Sequence, residues 1–213
     1  MAVAPSGRPR QTAAESREAI LQAMDELLRE RPYRELSVEV VMEKADLSRT
    51  IFYRHFDGLP GLVATLLAIR GEALLSLSSD FSRNALSAKV GKQAPDYEVV
   101  HDSLANVVNF FAENGPLVKG VADASAEDAE VEAVYEGMLT HFGNEVAEAI
   151  SGLVAAGMCD VADPKGLAGA LSAMNERYLL RALGSHPQED PKAVLDTIAL
   201  VWSRALFGRI DEP

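Results

Sequence analysis

Apolar residues recur at intervals of three and four along almost the whole chain. No stretch keeps the strict alternation of a half-buried strand. Between residues 16 and 30, Ala19, Ile20, Ala23, Met24, Leu27 and Leu28 form one apolar stripe, and Arg31-Pro32 stops it. Ser37 is placed to cap a second, short helix through Val38, Val41 and Met42 to Ala45. Asp46 breaks it, because Asp tolerates a left-handed turn. Ser48 is placed to cap a third helix, Arg49 to Phe56. After Asp57-Gly58-Leu59-Pro60-Gly61, a fourth runs from about Pro60 to Ser79. Residues 82–95 are polar and irregular and read as a loop. A helix over 96–114 is expected to end at Gly115-Pro116, with a short helix over 117–122 beyond it. Ser125 with Asp128 resembles a capping box that opens a long helix to about Ala156. Asp163-Pro164 and Asp190-Pro191 each put a capping residue before a proline at the first helical position, opening helices to Leu183 and to about Gly208. Val38 to Val41 is the one β-prone run, and it is short and well capped. The pattern predicts an all-α chain of about nine helices.

The charge is unevenly divided. The chain of 213 residues carries a net −12, which taken whole argues against nucleic acid. Residues 1–60 hold 9 Lys/Arg against 10 Asp/Glu, and residues 61–213 hold 11 against 22. The acidity therefore belongs to the second part. Three segments are expected: a disordered basic arm over 1–15 with Arg8 and Arg10, a small helical unit over 16–60, and a larger helical domain over 61–213.

Other function classes find little support. The one cysteine, Cys159, excludes an intramolecular disulfide and a multi-cysteine zinc site, and it fits a reducing cytosol. The histidines His55, His101, His141 and His186 are scattered, without metal-ligand spacing. No glycine-rich phosphate loop or nucleophile elbow is present. No catalysis, cofactor or metal is expected. No stretch approaches 18 uninterrupted apolar residues, and the basic N-terminus lacks an apolar core, so neither a membrane span nor a secretory signal is expected. The expected location is cytoplasmic.

Helices two and three, with the turn at Asp46-Leu47, have helix-turn-helix spacing. In such a unit the second helix enters the major groove. Over Leu47 to Phe56, a 3.6 period turns Leu47, Ile51 or Phe52, and Phe56 inward. It leaves Ser48, Arg49, Thr50, Tyr53, Arg54 and His55 outside, with no acid before Asp57. Arginine can take guanine or phosphate, and hydroxyls can take phosphate. Ser37, at the start of helix two, is counted with this set. A solvated short helix would show the same pattern.

From Ala19 to Leu67 the chain resembles the N-terminal domain of the TetR family of bacterial transcriptional repressors. The residues that carry the likeness are Leu36-Ser37-Val38, Ala45-Asp46-Leu47-Ser48, and Ile51-Phe52-Tyr53-Arg54-His55-Phe56. In the second domain, Leu171-Ser172-Ala173-Met174-Asn175-Glu176-Arg177, Leu195-Asp196-Thr197-Ile198 and Trp202 resemble the EthR-like, ethionamide-resistance branch of that family. Two departures stand out. Asp46 occupies a turn position where the family usually has glycine. Gly58-Leu59-Pro60 replaces a Ser-Lys-Glu stretch whose lysine approaches a phosphate, so one phosphate contact is missing. The resemblance implies a homodimer on an inverted-repeat operator, with the last two helices forming the dimer interface. Ala168, Ala170, Ala173, Ala182, Ala199 and Ala205 suit close packing there.

The resemblance also implies a small apolar effector that releases the repressor. Candidate ligand residues are Leu104, Val107, Phe110 and Phe111; Tyr135, Met138, Leu139 and Phe142; Met174, Asn175, Glu176, Tyr178 and Leu179; and Trp202. Their stripes also suit an ordinary core. Asn175 and Glu176 interrupt an otherwise apolar helix, so if buried they need partners. A ligand would supply one, and a salt bridge from Glu176 to Arg177 or Arg181 is the alternative. A helical interaction protein, or a DNA-binding protein without ligand control, remains the other reading.

Overall fold

The computed structural model describes residues 12–70 and 97–208, and among them every regular element is helical. In order these are α1 (Ala13–Glu30), a single 3₁₀ turn (Tyr33–Glu35), α2 (Val38–Lys44), α3 (Arg49–Phe52), α4 (59–70), α5 (Tyr97–Ser125), α6 (Ala129–Ala155), α7 (Pro164–Leu183) and α8 (Pro191–Phe207). The arginines Arg8 and Arg10, the loop over 82–95 and the end of helix four lie outside the described residues.

Local capping chemistry sets most boundaries. The α1 start lies within the segment expected to be an arm, because Thr12 and Glu15 form a capping box: Thr12 N–H donates to Glu15 Oε2 at 2.7 Å and Glu15 N–H to Thr12 Oγ1 at 3.2 Å. Ser37 caps α2, accepting from Val40 N–H at 3.3 Å. Asp46 takes φ 55°, the left-handed turn the sequence requires of it. At α6 the capping residue is Asp128, which accepts from the Glu130 and Val131 N–H groups at 2.9 and 3.2 Å. Ser125 instead donates to the Ala122 carbonyl at 2.8 Å. Asp163 and Asp190 cap α7 and α8, with the prolines in the first turn.

Two elements differ from the sequence reading. First, α3 is only four residues long. Ser48 makes no side-chain capping bond, and the chain tightens after Phe52 into a turn, with His55 N–H on the Phe52 carbonyl at 2.9 Å. Second, α5 runs unbroken through Gly115-Pro116, which merges two expected helices. Pro116 has no N–H, so the Ala112 carbonyl loses its helical donor. Gln188 replaces it: Nε2 donates to the Ala112 carbonyl at 3.1 Å and to the Leu183 carbonyl, at the end of α7, at 2.7 Å. Gly115 permits the close approach, since a Cβ there would lie 2.1 Å from the Leu183 oxygen.

Burial divides the chain into two cores joined by α5. One core holds Ile20, Met24 and Leu27 of α1 with Val41, Phe52, Phe56 and Leu62, and it takes in Leu117, Val121 and Ala124 from the second half of α5. The other holds Leu104, Val107 and Phe111 from the first half of α5 with Ile150, Leu179, Ile198 and Trp202. A polar cluster pins α1 to both neighbours. Asp25, 6% exposed, binds Arg29 at 2.7 Å and Arg70 of α4 at 2.6 Å. Arg29 also donates to the Glu113 carbonyl at 2.8 Å and to Asn114 Oδ1 at 3.2 Å, beside Pro116.

Candidate functional site

Two surfaces carry chemistry. The first is the outer side of α3 and the turn after it. Phe52 and Phe56 are buried and Ile51 and Leu47 half-buried, so these residues anchor the segment. Ser48, Arg49, Thr50, Tyr53 and Arg54 are exposed, while His55 and Ser37 are half-buried. Tyr53, at 51% exposure, is an exposed large hydrophobic side chain on this face. Arg49 is held rather than free. Its Nη1 donates to Glu39 Oε1 of α2, its Nη2 donates to the Tyr53 hydroxyl at 3.1 Å, and its guanidinium lies 5.6 Å from the Tyr53 ring centroid. The backbone N–H and the Ser37 hydroxyl, then Arg49, hold the Glu39 carboxyl below its usual range. Two neighbours of this face are not legible in the sequence. Glu39 sits ten residues before its partner, a spacing that no single-helix period reveals. Arg17 of α1 lies 5.6 Å from the Phe56 ring centroid, bringing a third arginine beside the unit.

The second surface is a cavity of about 450 Å³ between α5, α6 and α7. Of the expected ligand residues, Val107, Phe111, Tyr135, Met138, Leu139, Phe142, Asn175, Glu176 and Leu179 line it. Leu104, Met174, Tyr178 and Trp202 do not. Leu104 is core at 1% exposure, and the Tyr178 ring lies under Arg181, 5.3 Å from its guanidinium. Phe110 lies on the far side of the wall, with Leu67 and Arg70 of α4. Trp202 is one layer back, where its indole N–H donates to Asn175 Oδ1 at 3.0 Å. Val118 enters the wall because α5 continues past Pro116. Ser172 and Ala173, one turn before Asn175 and Glu176, also line it, and their i−3 spacing is the signal that points to them. Among the described residues, the exposed Thr140, Asn144, Lys165 and Gly169 mark its mouth.

The polar lining is unevenly satisfied. The Tyr135 hydroxyl donates to Glu176 Oε1 at 2.9 Å, and burial, then the Glu176 charge, push the phenol far up, so it stays the donor. The alternative, a salt bridge from Glu176 to Arg177 or Arg181, is not formed; Arg181 faces Glu189 instead. Asn175 is 3% exposed, and its Nδ2 has no hydrogen-bond partner among the described residues, nor does Ser172 Oγ. Those residues include no His/Cys/Asp/Glu group able to hold a metal ion, and no helix long and apolar enough to cross a membrane.

Comparison with known proteins identifies this two-part arrangement. Residues 20–64 match the model described as bacterial regulatory proteins, tetR family, and residues 100–208 match that of the transcriptional regulator EthR, C-terminal domain. The chain therefore belongs to the TetR family of bacterial transcriptional regulators, which join a DNA-binding helix-turn-helix to a ligand-binding domain. Its second domain is of the EthR type. It is 24% identical to the HTH-type transcriptional regulator EthR of Mycolicibacterium smegmatis, over 97% of this chain and 90% of that one. It is 26% identical to EthR of Mycobacterium tuberculosis, over 96% and 90%. In fold it resembles a TetR-family regulator of Mesorhizobium loti (TM-score 0.68, 12% identity, covering 93% of this chain and 100% of that one). It also resembles FadR of Bacillus subtilis, solved in complex with stearoyl-CoA (TM-score 0.67, 12% identity, covering 90% and 98%).

Proposed function

We propose that this chain is a repressor that binds an inverted-repeat operator as a homodimer and releases it when a small, largely apolar effector enters the α5–α6–α7 cavity. The observation that carries the reading is the pairing of an exposed basic α3 face with a built cavity at the other end of α5. Ser37, Ser48, Arg49, Thr50, Tyr53, Arg54 and His55 supply the DNA contacts, and no acid lies between Ser48 and Asp57. The exposed outer face of α7 and α8 supports the dimer. There Ala170 and Ala205 are exposed, as is Val201 at 40%, whereas Ala173 is turned to the cavity. Ala168, Ala182 and Ala199 are spent in the chain's own core, at 0–2% exposure, and cannot serve an interface. FadR's ligand is a small molecule carried on the same fold, which supports an effector here.

The two recognition helices of such a dimer sit about 34 Å apart, one turn of DNA. An effector withdraws affinity by its preference for the state in which that separation is wrong. Phe111 and Val118 of the wall flank Glu113 and Asn114, which grip Arg29. Arg29 shares Asp25 with Arg70 of α4. Pressure on the wall therefore has a short path to the DNA-binding core. The test is retardation of DNA from a selected pool by the purified protein at low salt. Replacing Arg49 and Arg54 together with Ala abolishes the complex while helical content stays unchanged. A chain that retards no DNA is not a repressor.

A further inference from the structure

Among the described residues, Glu176 is a carboxylate without a counter-ion. It is half-buried in the wall of an apolar cavity, and its one partner there is neutral, the Tyr135 hydroxyl on Oε1 at 2.9 Å. No Lys, Arg or His pairs with it among the described residues. Arg181, five residues on, is turned to Tyr178 and Glu189. At the rim, the exposed Lys165 and Glu136 offset each other, so Glu176 sets the charge inside. Any molecule that fills the cavity strips water from this carboxylate. A wholly apolar one leaves a desolvated, uncompensated charge, which is costly. A carboxylate ligand adds a like charge. A cation recovers the loss, and the aromatic rings of Phe111 and Phe142 in the same wall favour one further. Asn175 makes a separate demand on the occupant. It is 3% exposed, its Oδ1 accepts from Trp202, and its Nδ2 has no acceptor among the described residues, so the occupant must also carry an acceptor oxygen, which an ammonium cannot supply.

We infer that the effector is an amphipathic amine, with an apolar body in the cavity and a protonated nitrogen on Glu176. This rests on the cavity being the effector site. Titration of the full chain with decylamine, decanol and decanoate, followed by calorimetry, tests it, because the three share one tail and differ in head. Decylamine is expected to bind about tenfold more tightly than decanol, and decanoate more weakly still. In Glu176→Gln, whose amide oxygen still accepts from Tyr135, the amine-to-alcohol ratio is expected to fall to within about twofold. Equal binding of amine and alcohol by the native chain overturns the charge preference, as does a preference that survives Glu176→Gln. Failure of all three molecules to bind overturns the cavity itself.

Discussion

Gln188 donates its side-chain amide to the Ala112 carbonyl, 76 residues away in sequence, and so supplies the hydrogen bond that Pro116 removes from α5. The same Nε2 closes the last carbonyl of α7, at Leu183. One side chain thus keeps α5 continuous and fixes the α7–α8 connection against it. Gln188→Ala leaves both carbonyls short of a donor. It is expected to lower stability by about 1–3 kcal/mol, read as a shift of the urea midpoint with an unchanged slope. An unchanged midpoint would show that water replaces the amide without loss.

What the sequence reveals follows from how local the chemistry is. Asp163-Pro164 and Asp190-Pro191 announce their helices because cap and proline act within one turn. Ser37 and Asp46 are legible for the same reason. Thr12 and Glu15 form an equally local box, yet the Pro- and Gly-rich composition just before them reads as an arm and hides it. Pro116 misleads because its compensation comes from another helix connection. In the site, nine of the expected ligand residues reach the wall because helical period places them on the right faces. Trp202 stands one layer behind, since period gives a face and not a depth. Glu39 escapes notice because its pairing with Arg49 crosses from α2 to α3.

Asp25 is nearly buried between two arginines, Arg29 at 32% and Arg70 at 49% side-chain exposure. Removing one cation leaves the carboxylate half-compensated. Arg29→Met is expected to cost about 1–3 kcal/mol, and Asp25→Asn combined with Arg29→Met less than the sum of the two singles. A double-mutant cycle in denaturant checks this, and strict additivity would show that the pair does not interact.

Burial and the neighbouring Glu176 charge raise the Tyr135 phenol above its usual value. A group whose folded pKa is raised stabilises the protein below its unfolded pKa, about 10 for tyrosine, and loses that contribution as pH rises beyond it. Stability should therefore fall above about pH 10, at up to about 1.4 kcal/mol per pH unit from this group. Tyr135→Phe should flatten that alkaline limb. Melting curves between about pH 9 and 11 decide, and an identical slope in the variant contradicts the assignment.

Glu39 holds Arg49 against Tyr53 on the face proposed to meet DNA. An arginine fixed in this way enters the groove already aimed, whereas a free one samples phosphates. Glu39→Gln is expected to strengthen binding to random duplex, because a negative charge leaves the face. It should also lose about 1 kcal/mol of discrimination at one base pair. Duplexes carrying single-base substitutions measure both, and unchanged discrimination would assign Glu39 no part in reading.

DNA reading by the α3 face is the central element of the proposed function. The most direct measurement is the fluorescence anisotropy of a labelled inverted-repeat duplex, recovered by selection, titrated with the native chain and with the Arg49→Ala, Arg54→Ala double variant at several salt concentrations. Two chains per duplex and an affinity that falls steeply with salt are expected. The double variant, with its helix content intact, is expected to lose specific binding and to have a shallower slope by about two contacts. A double variant that binds as tightly as the native chain would contradict DNA reading by this face.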